Sequence, residues 1–198
     1  MIKNIYKYII NKLTLKKYKK CFGFIGEGSS IIHPLRISHG KNIYIGKEVE
    51  VHNLCWLAAN PLTGNDKCQL IIDDGCVIGD FCHIYATKSI IIHKNVLFAN
   101  GVYVSDNSHG FLNINIPIIR QQIVQKNSVE IGEGSWIGEH VCIIGASVGK
   151  NCVIGANSVV THDIPDYCVA VGAPARVIKR FDIVSNTWVT PVSNVKSI

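Results

Sequence analysis

A six-residue beat runs through most of this chain and limits its fold more than any other feature. From about Ile45 the rows read "IGKEVE VHNLCW", "IDDGCV IGDFCH", "IHKNVL FANGVY", "IGEGSW IGEHVC" and "VGKNCV IGANSV". Each row opens on an aliphatic residue, often followed by Gly or Asp, and carries a small residue four places on. So short a period implies stacked units sharing one continuous core. A helix would need a stripe near 3.6 residues, and none runs through these rows. Short strands joined by tight turns, three sides to a coil, fit the beat.

The lead residues fall into coils. Ile72, Ile78 and Ile84 make one; Ile92, Phe98 and Val104 make the next, after a two-residue slip. Ile131, Ile137 and Ile143 follow, then Val148, Ile154 and Val160 after a one-residue deletion. The fourth place after each lead is expected to face inward: Val49, Cys55, Cys76, Cys82, Val96, Val102, Ser135, Val141, Cys152 and Ser158. Four of the eight cysteines sit there, where a thiol serves as a small hydrophobe. No Cys-x-x-Cys pair occurs, which weakens a zinc reading.

At 198 residues the chain is one domain, or one domain with an appendage. Its net charge of +6 is uneven, with seven lysines between Met1 and Lys20. The body is close to neutral, which argues against nucleic acid as a partner. No apolar run reaches the roughly eighteen residues of a membrane span. The N-terminus lacks a secretory signal, so a cytoplasmic location is expected.

Within residues 1–22, Ile5, Tyr8, Ile9 and Leu13 share one side of an expected basic amphipathic helix. Its roles are to cap the open end of the solenoid or to rest peripherally on an anionic membrane. The expected division continues with a solenoid over 23–172, interrupted by loops at 60–69 and 108–128. A C-terminal helix or extension over 173–198 completes it.

From Ile45 to Arg180 the chain resembles the hexapeptide-repeat acyltransferases, which fold as left-handed parallel β-helices. The segment "GSWIGEHVCIIGASVGKNCVIGANSVVTHDIPDYCVAVGAPARVIKR" carries the most specific part of the likeness. It is most similar to the galactoside, maltose and xenobiotic acetyltransferases and to surface-polysaccharide sugar O-acetyltransferases. The left hand is implied by the resemblance alone, since parallel crossovers are usually right-handed. The resemblance further implies acetyl-CoA as co-substrate, no metal, and a homotrimer with active sites between subunits.

The run "FANGVYVSDNSH" matches the family's passage from rung to catalytic histidine without a gap, which places that role on His109. Taken without the resemblance, His109 reads as an exposed corner histidine. Related enzymes often carry Asp-His-Asn-His-Gly here, and this chain has Asn107 at the first histidine. Asp106 and Asn107 are candidate acceptor contacts. Coil stacking is expected to set His109 over Ser89 and Tyr103 over His83 near the same corner, adding these three to the candidate substrate-binding residues.

For the coenzyme, the resemblance implies Trp136 and Glu139 near the acetyl end and pantetheine, Glu139 through its backbone. It also implies a main-chain contact at Ala156, with Thr161 and His162 near the nucleotide. His162 replaces the family's lysine. Arg176 and Lys179 match cations that meet the phosphates.

The function so implied is transfer of acetyl to a sugar hydroxyl of a capsule or O-antigen. Two alternatives stand beside it: N-acetylation of an amino-sugar nucleotide, and a non-catalytic scaffold. The zinc carbonic anhydrase that shares this solenoid requires a histidine pair five residues apart on one coil. The chain has none.

Overall fold

The computed structural model describes residues 18–64 and 66–190. Three parallel sheets form the sides of a prism, and the chain visits them in rotation. The first face stacks Phe24–Ile25, Ile43–Ile45, Gln69–Ile72, Ser89–Ile92 and Val129–Ile131. Single bridges at Val148 and Ile164 continue it. The second face runs from Ser30–Ile31 through Glu50–Val51, Val77–Ile78, Leu97–Phe98, Trp136–Ile137 and Val153–Ile154 to Cys168–Val171. The third stacks Arg36–Ser38, Trp56–Ala59, His83–Ala86, Tyr103–Ser105, Cys142–Ile144 and Val159–Val160. Parallel faces, almost no helix among the described residues and a six-residue repeat fit a left-handed β-helix.

The coil registers follow the sequence. Ile72 pairs with Ile92, Ile92 with Ile131 and Ile131 with Val148, so both the slip and the deletion are absorbed at corners. Lead residues such as Ile72, Ile78 and Ile84 are fully buried. Each such side chain contributes about 1.5–3 kcal/mol on leaving water. All ten small sites, from Val49 to Ser158, are buried as expected. Cys68 and Cys168 are buried as well. Burial pushes the thiols of Cys76 and Cys152 up to about 11, so they stay protonated and act as packing.

The corners explain the glycines and short acids. A Cβ on Gly132 would lie 2.4 Å from the backbone of Gly149, so only glycine lets these coils close. Corner carboxylates tie coil to coil: Asp74 accepts from the Lys47 N–H, Asp80 from Asn53 and Asp166 from Lys150.

The solenoid begins at Phe24, one coil before the beat becomes regular at Ile45. Phe22 is buried in its core, and the N–H groups of Cys21 and Phe22 both reach the Tyr18 carbonyl. The amphipathic helix expected over 1–22 lies, up to residue 17, outside the described residues, as do its apolar side and its membrane contact. Among the described residues no helix is long and apolar enough to cross a membrane.

At the other end, of the helix or extension expected over 173–198, the described residues form an extension of strands and no helix. Arg176–Asp182 turns back antiparallel on Cys168–Val171, and Thr187–Val189 pairs with it in turn. The β-branched and aromatic residues Val177, Ile178, Phe181, Trp188 and Val189 favour the pleated form. Val177 packs on the last coil, and Phe181 meets Trp188 edge to face at 5.4 Å.

Candidate active site

Both interruptions leave the solenoid from one corner, between the third face and the first. The shorter spans Asn60 to Cys68, and the longer leaves after Ser105 and returns at Val129. One intact corner, Thr87 and Lys88, lies between them.

The longer insertion opens as a two-stranded ribbon. Asn107–His109 pairs antiparallel with Ile123–Gln125, setting Asn107 opposite Gln125 and His109 opposite Ile123. The tip of this hairpin carries Leu112, Ile114 and Ile119 in nearly full exposure. His109 is itself exposed, and no described residue hydrogen-bonds its ring. An imidazole nitrogen without a hydrogen-bond partner can accept a hydroxyl proton.

Asp106 turns the chain out of the coil, and its carboxylate is fully buried. It accepts from the N–H of Thr87 (2.7 Å), Lys88 (2.7 Å) and Ser89 (2.8 Å), and from the Thr87 hydroxyl (3.0 Å). Two expectations are corrected here. Asp106 is no acceptor contact, because burial and these bonds occupy it. Ser89 does not lie under His109: the chain leaves the coil at Asp106, so Ser89 meets the Asp106 carboxylate while His109 meets Ile123.

Tyr103 does stack on His83, in register and edge to face at 5.2 Å. His83 is half-buried and lies flat on Trp56, with centroids 4.2 Å apart and planes 7° apart. The Arg36 guanidinium sits 5.1 Å over the Trp56 ring. His83 thus lies between Trp56 and Tyr103, and Trp56 between Arg36 and His83. Burial lowers the His83 pKa, and its buried Nε2 has no hydrogen-bond partner among the described residues. Asn107 donates to the Tyr85 carbonyl and to Asp106, which ties the ribbon to this ladder.

The coenzyme candidates divide between two corners. Trp136 stands on the outer side of the second face, and Lys179 joins that side opposite Val169. Glu139 and Ala156 follow at the corner into the third face, where the Glu139 carbonyl already accepts from Asn157. Its carboxylate accepts from Asn100. Arg176, opposite Val171, begins beside the same corner. Thr161 and His162, bonded to each other at 3.0 Å, lie instead on the corner that bears His109, two coils further along. One chain therefore does not bring His109 and the cationic end together on one edge of the prism.

Sequence reading missed Gln125. Its Oε1 accepts from the hydroxyls of Thr63 and Thr87, and its Nε2 donates to the Asp106 carbonyl at 2.7 Å. One amide thus fastens both insertions to the corner between them. Nothing periodic marks it, because its partner Thr63 is 62 residues away.

The hexapeptide repeat of succinyl-transferase matches residues 69–106 and 128–162. Galactoside O-acetyltransferase of Escherichia coli is 34% identical over 165 residues, covering 83% of this chain and 66% of that protein. WbbJ of the same organism, whose name assigns it to lipopolysaccharide O-acetyl transfer, is 31% identical over 126 residues (60% of this chain, 64% of that protein). The chain belongs to the hexapeptide-repeat acyltransferase family. It spans about half to two thirds of the length of these curated relatives.

Among solved structures, AntD, an N-acyltransferase from Bacillus cereus with dTDP and 3-hydroxybutyryl-CoA, superposes with a TM-score of 0.69 at 20% identity. That match covers 83% of this chain and 86% of AntD. A hexapeptide-repeat acetyltransferase of Vibrio cholerae holding acetyl coenzyme A gives 0.58 at 23%, over 89% and 83% of the two chains. These likenesses concern the fold.

Proposed function

We propose that the protein is an acetyl-CoA-dependent O-acetyltransferase acting on a sugar hydroxyl, with His109 as general base. The observation that carries the reading is the exposed imidazole of His109, held on a paired ribbon at a gapless match to the family motif. The relatives named for galactoside and lipopolysaccharide O-acetylation support a glycan acceptor, such as O-antigen, capsule or a precursor.

The acetyl thioester is already activated. As the acceptor oxygen attacks the carbonyl carbon, its proton passes to the imidazole. The oxyanion then collapses, the C–S bond breaks, and the departing thiolate takes that proton from the imidazolium. No acyl-enzyme is needed. Trp136, Glu139, Ala156, Thr161 and His162 are proposed to line the coenzyme, and Arg176 and Lys179 to meet its phosphates.

Because His109 and the cationic end occupy different edges, the reading includes a second copy whose coenzyme edge faces this chain's His109. A homotrimer provides that three times over. It would also cover the apolar hairpin tip.

The test is His109→Ala, assayed by free thiol release and product mass with acetyl-CoA and a panel of glycosides. Turnover should fall by about a hundred- to ten-thousandfold with coenzyme binding retained. Wild-type turnover with saturating acceptor would falsify the assignment. Acetylation of an amino sugar nucleotide in preference to every hydroxyl acceptor would move the reaction to nitrogen.

A further inference from the structure

The two insertions flank an open cleft of about 490 Å³ lined by Leu62, Thr63 and Gly64 on one side and Gln122, Ile123 and Gln125 on the other. It exists because Gln125 joins Thr63 of the first insertion to Thr87 and Asp106 at the solenoid corner. Opposed residues on an antiparallel pair project to the same face, with Cβ atoms about 4.5–5.5 Å apart. Ile123 lines the cleft, and His109 is its directly opposed partner. The imidazole therefore stands on the cleft side of the ribbon.

We propose that this cleft is the acceptor site and takes an uncharged, hydroxyl-rich glycosyl unit; the proposal rests on His109 as the base. The lining decides the class. Its size lies within the range of about 300–1,000 Å³ usual for ligand pockets. Leu62 and Ile123 offer apolar walls for the C–H face of a sugar ring. The exposed Gln122 amide, which no described residue bonds, offers both a donor and an acceptor for hydroxyls. None of the six lining residues carries a charge. The six lining residues offer no counterion to a nucleotide diphosphate. Specificity for a neutral glycosyl group then comes from residues of the two insertions, none of which lies in the repeat.

Gly64 and Leu62 test the site without disturbing the core. Gly64 has φ +74°, and a Cβ there would meet no atom within 4 Å, so Gly64→Asn keeps a tolerated left-handed backbone and projects an amide into open space. Leu62 is 54% exposed, and Leu62→Trp narrows the same opening. The acceptor panel is p-nitrophenyl galactoside, glucoside and mannoside, run beside dTDP-4-amino-4,6-dideoxyglucose. At least one neutral glycoside should be acetylated. Both variants should raise its KM by about tenfold or more while leaving the KM for acetyl-CoA and the melting temperature unchanged.

Wild-type acceptor KM in both variants overturns the cleft as the site. Transfer only to the nucleotide-linked amino sugar, or to none of the panel, overturns the neutral glycosyl class. If His109→Ala keeps full turnover while the two cleft variants still raise the acceptor KM, the base assignment fails and the cleft stands.

Discussion

The buried carboxylate of Asp106 receives both the backbone N–H and the hydroxyl of Thr87, at 2.7 and 3.0 Å. This pair closes the third coil's corner at the point where the fourth coil departs into the ribbon. Through Gln125, bonded to the Thr87 hydroxyl and the Asp106 carbonyl, it also sets where His109 stands.

Asp106→Ala should destabilise the fold by about 3 kcal/mol, because the N–H groups of Thr87, Lys88 and Ser89 and the Thr87 hydroxyl lose their shared acceptor at a buried corner. Urea denaturation measures the loss. Turnover at temperatures below the transition should fall as well, since the ribbon loses its anchor. Unchanged stability would mean that solvent reaches this corner.

His83 makes the fold acid-sensitive. Burial lowers its folded pKa, so in acid the unfolded chain binds a proton that the folded chain refuses. The contribution is absent well above the ordinary histidine value of about 6.5 and grows as pH falls below it. His83→Phe keeps an aromatic ring against Trp56 and cannot protonate. Its melting temperature should decline less between neutral pH and pH 5 than that of the unaltered protein. Parallel decline in the two would remove His83 from the account.

Arg176→Ala and Lys179→Ala should each raise the KM for acetyl-CoA by roughly ten- to a hundredfold, the size of a charge-assisted phosphate contact. Turnover should change much less, because such a contact is equally present in ground and transition states. With the dephospho-coenzyme A thioester the penalty should shrink if the lost partner is the 3′-phosphate. A normal KM in both variants would reduce these residues to a basic surface on the C-terminal hairpin.

Light scattering should find a trimer at assay concentrations. Replacing Ile114 and Ile119 at the hairpin tip with serine should weaken association, activity falling with it, while the monomer's secondary structure persists. A fully active monomer would contradict a site shared between copies.

The solenoid was legible in the sequence because its rule is local. Whether Ile72 or Cys76 faces inward depends on its place in a six-residue unit, and each coil repeats the decision with the same steric demands at the same corners. That determined the three faces, the slip before Ile92, the deletion before Val148, and the stacking of Tyr103 on His83. His109 was singled out by a motif at the end of a rung, and its role as base is the proposal that His109→Ala tests. Tertiary structure alone decided what surrounds it. Asp106 reads as a candidate acceptor contact in the sequence, yet it is buried, and three backbone N–H groups of the coil beneath converge on it. Ser89 was misplaced because counting along a coil assumes that the coil continues. Of the C-terminal helix or extension, the extension formed, as strands, because the free edge of Cys168–Val171 offered backbone partners to the β-prone segment that follows. The cleft depends on Thr63, Thr87 and Gln125 meeting across three coils. No period links residues so far apart in the chain, so only the folded corner brings them within hydrogen-bond reach.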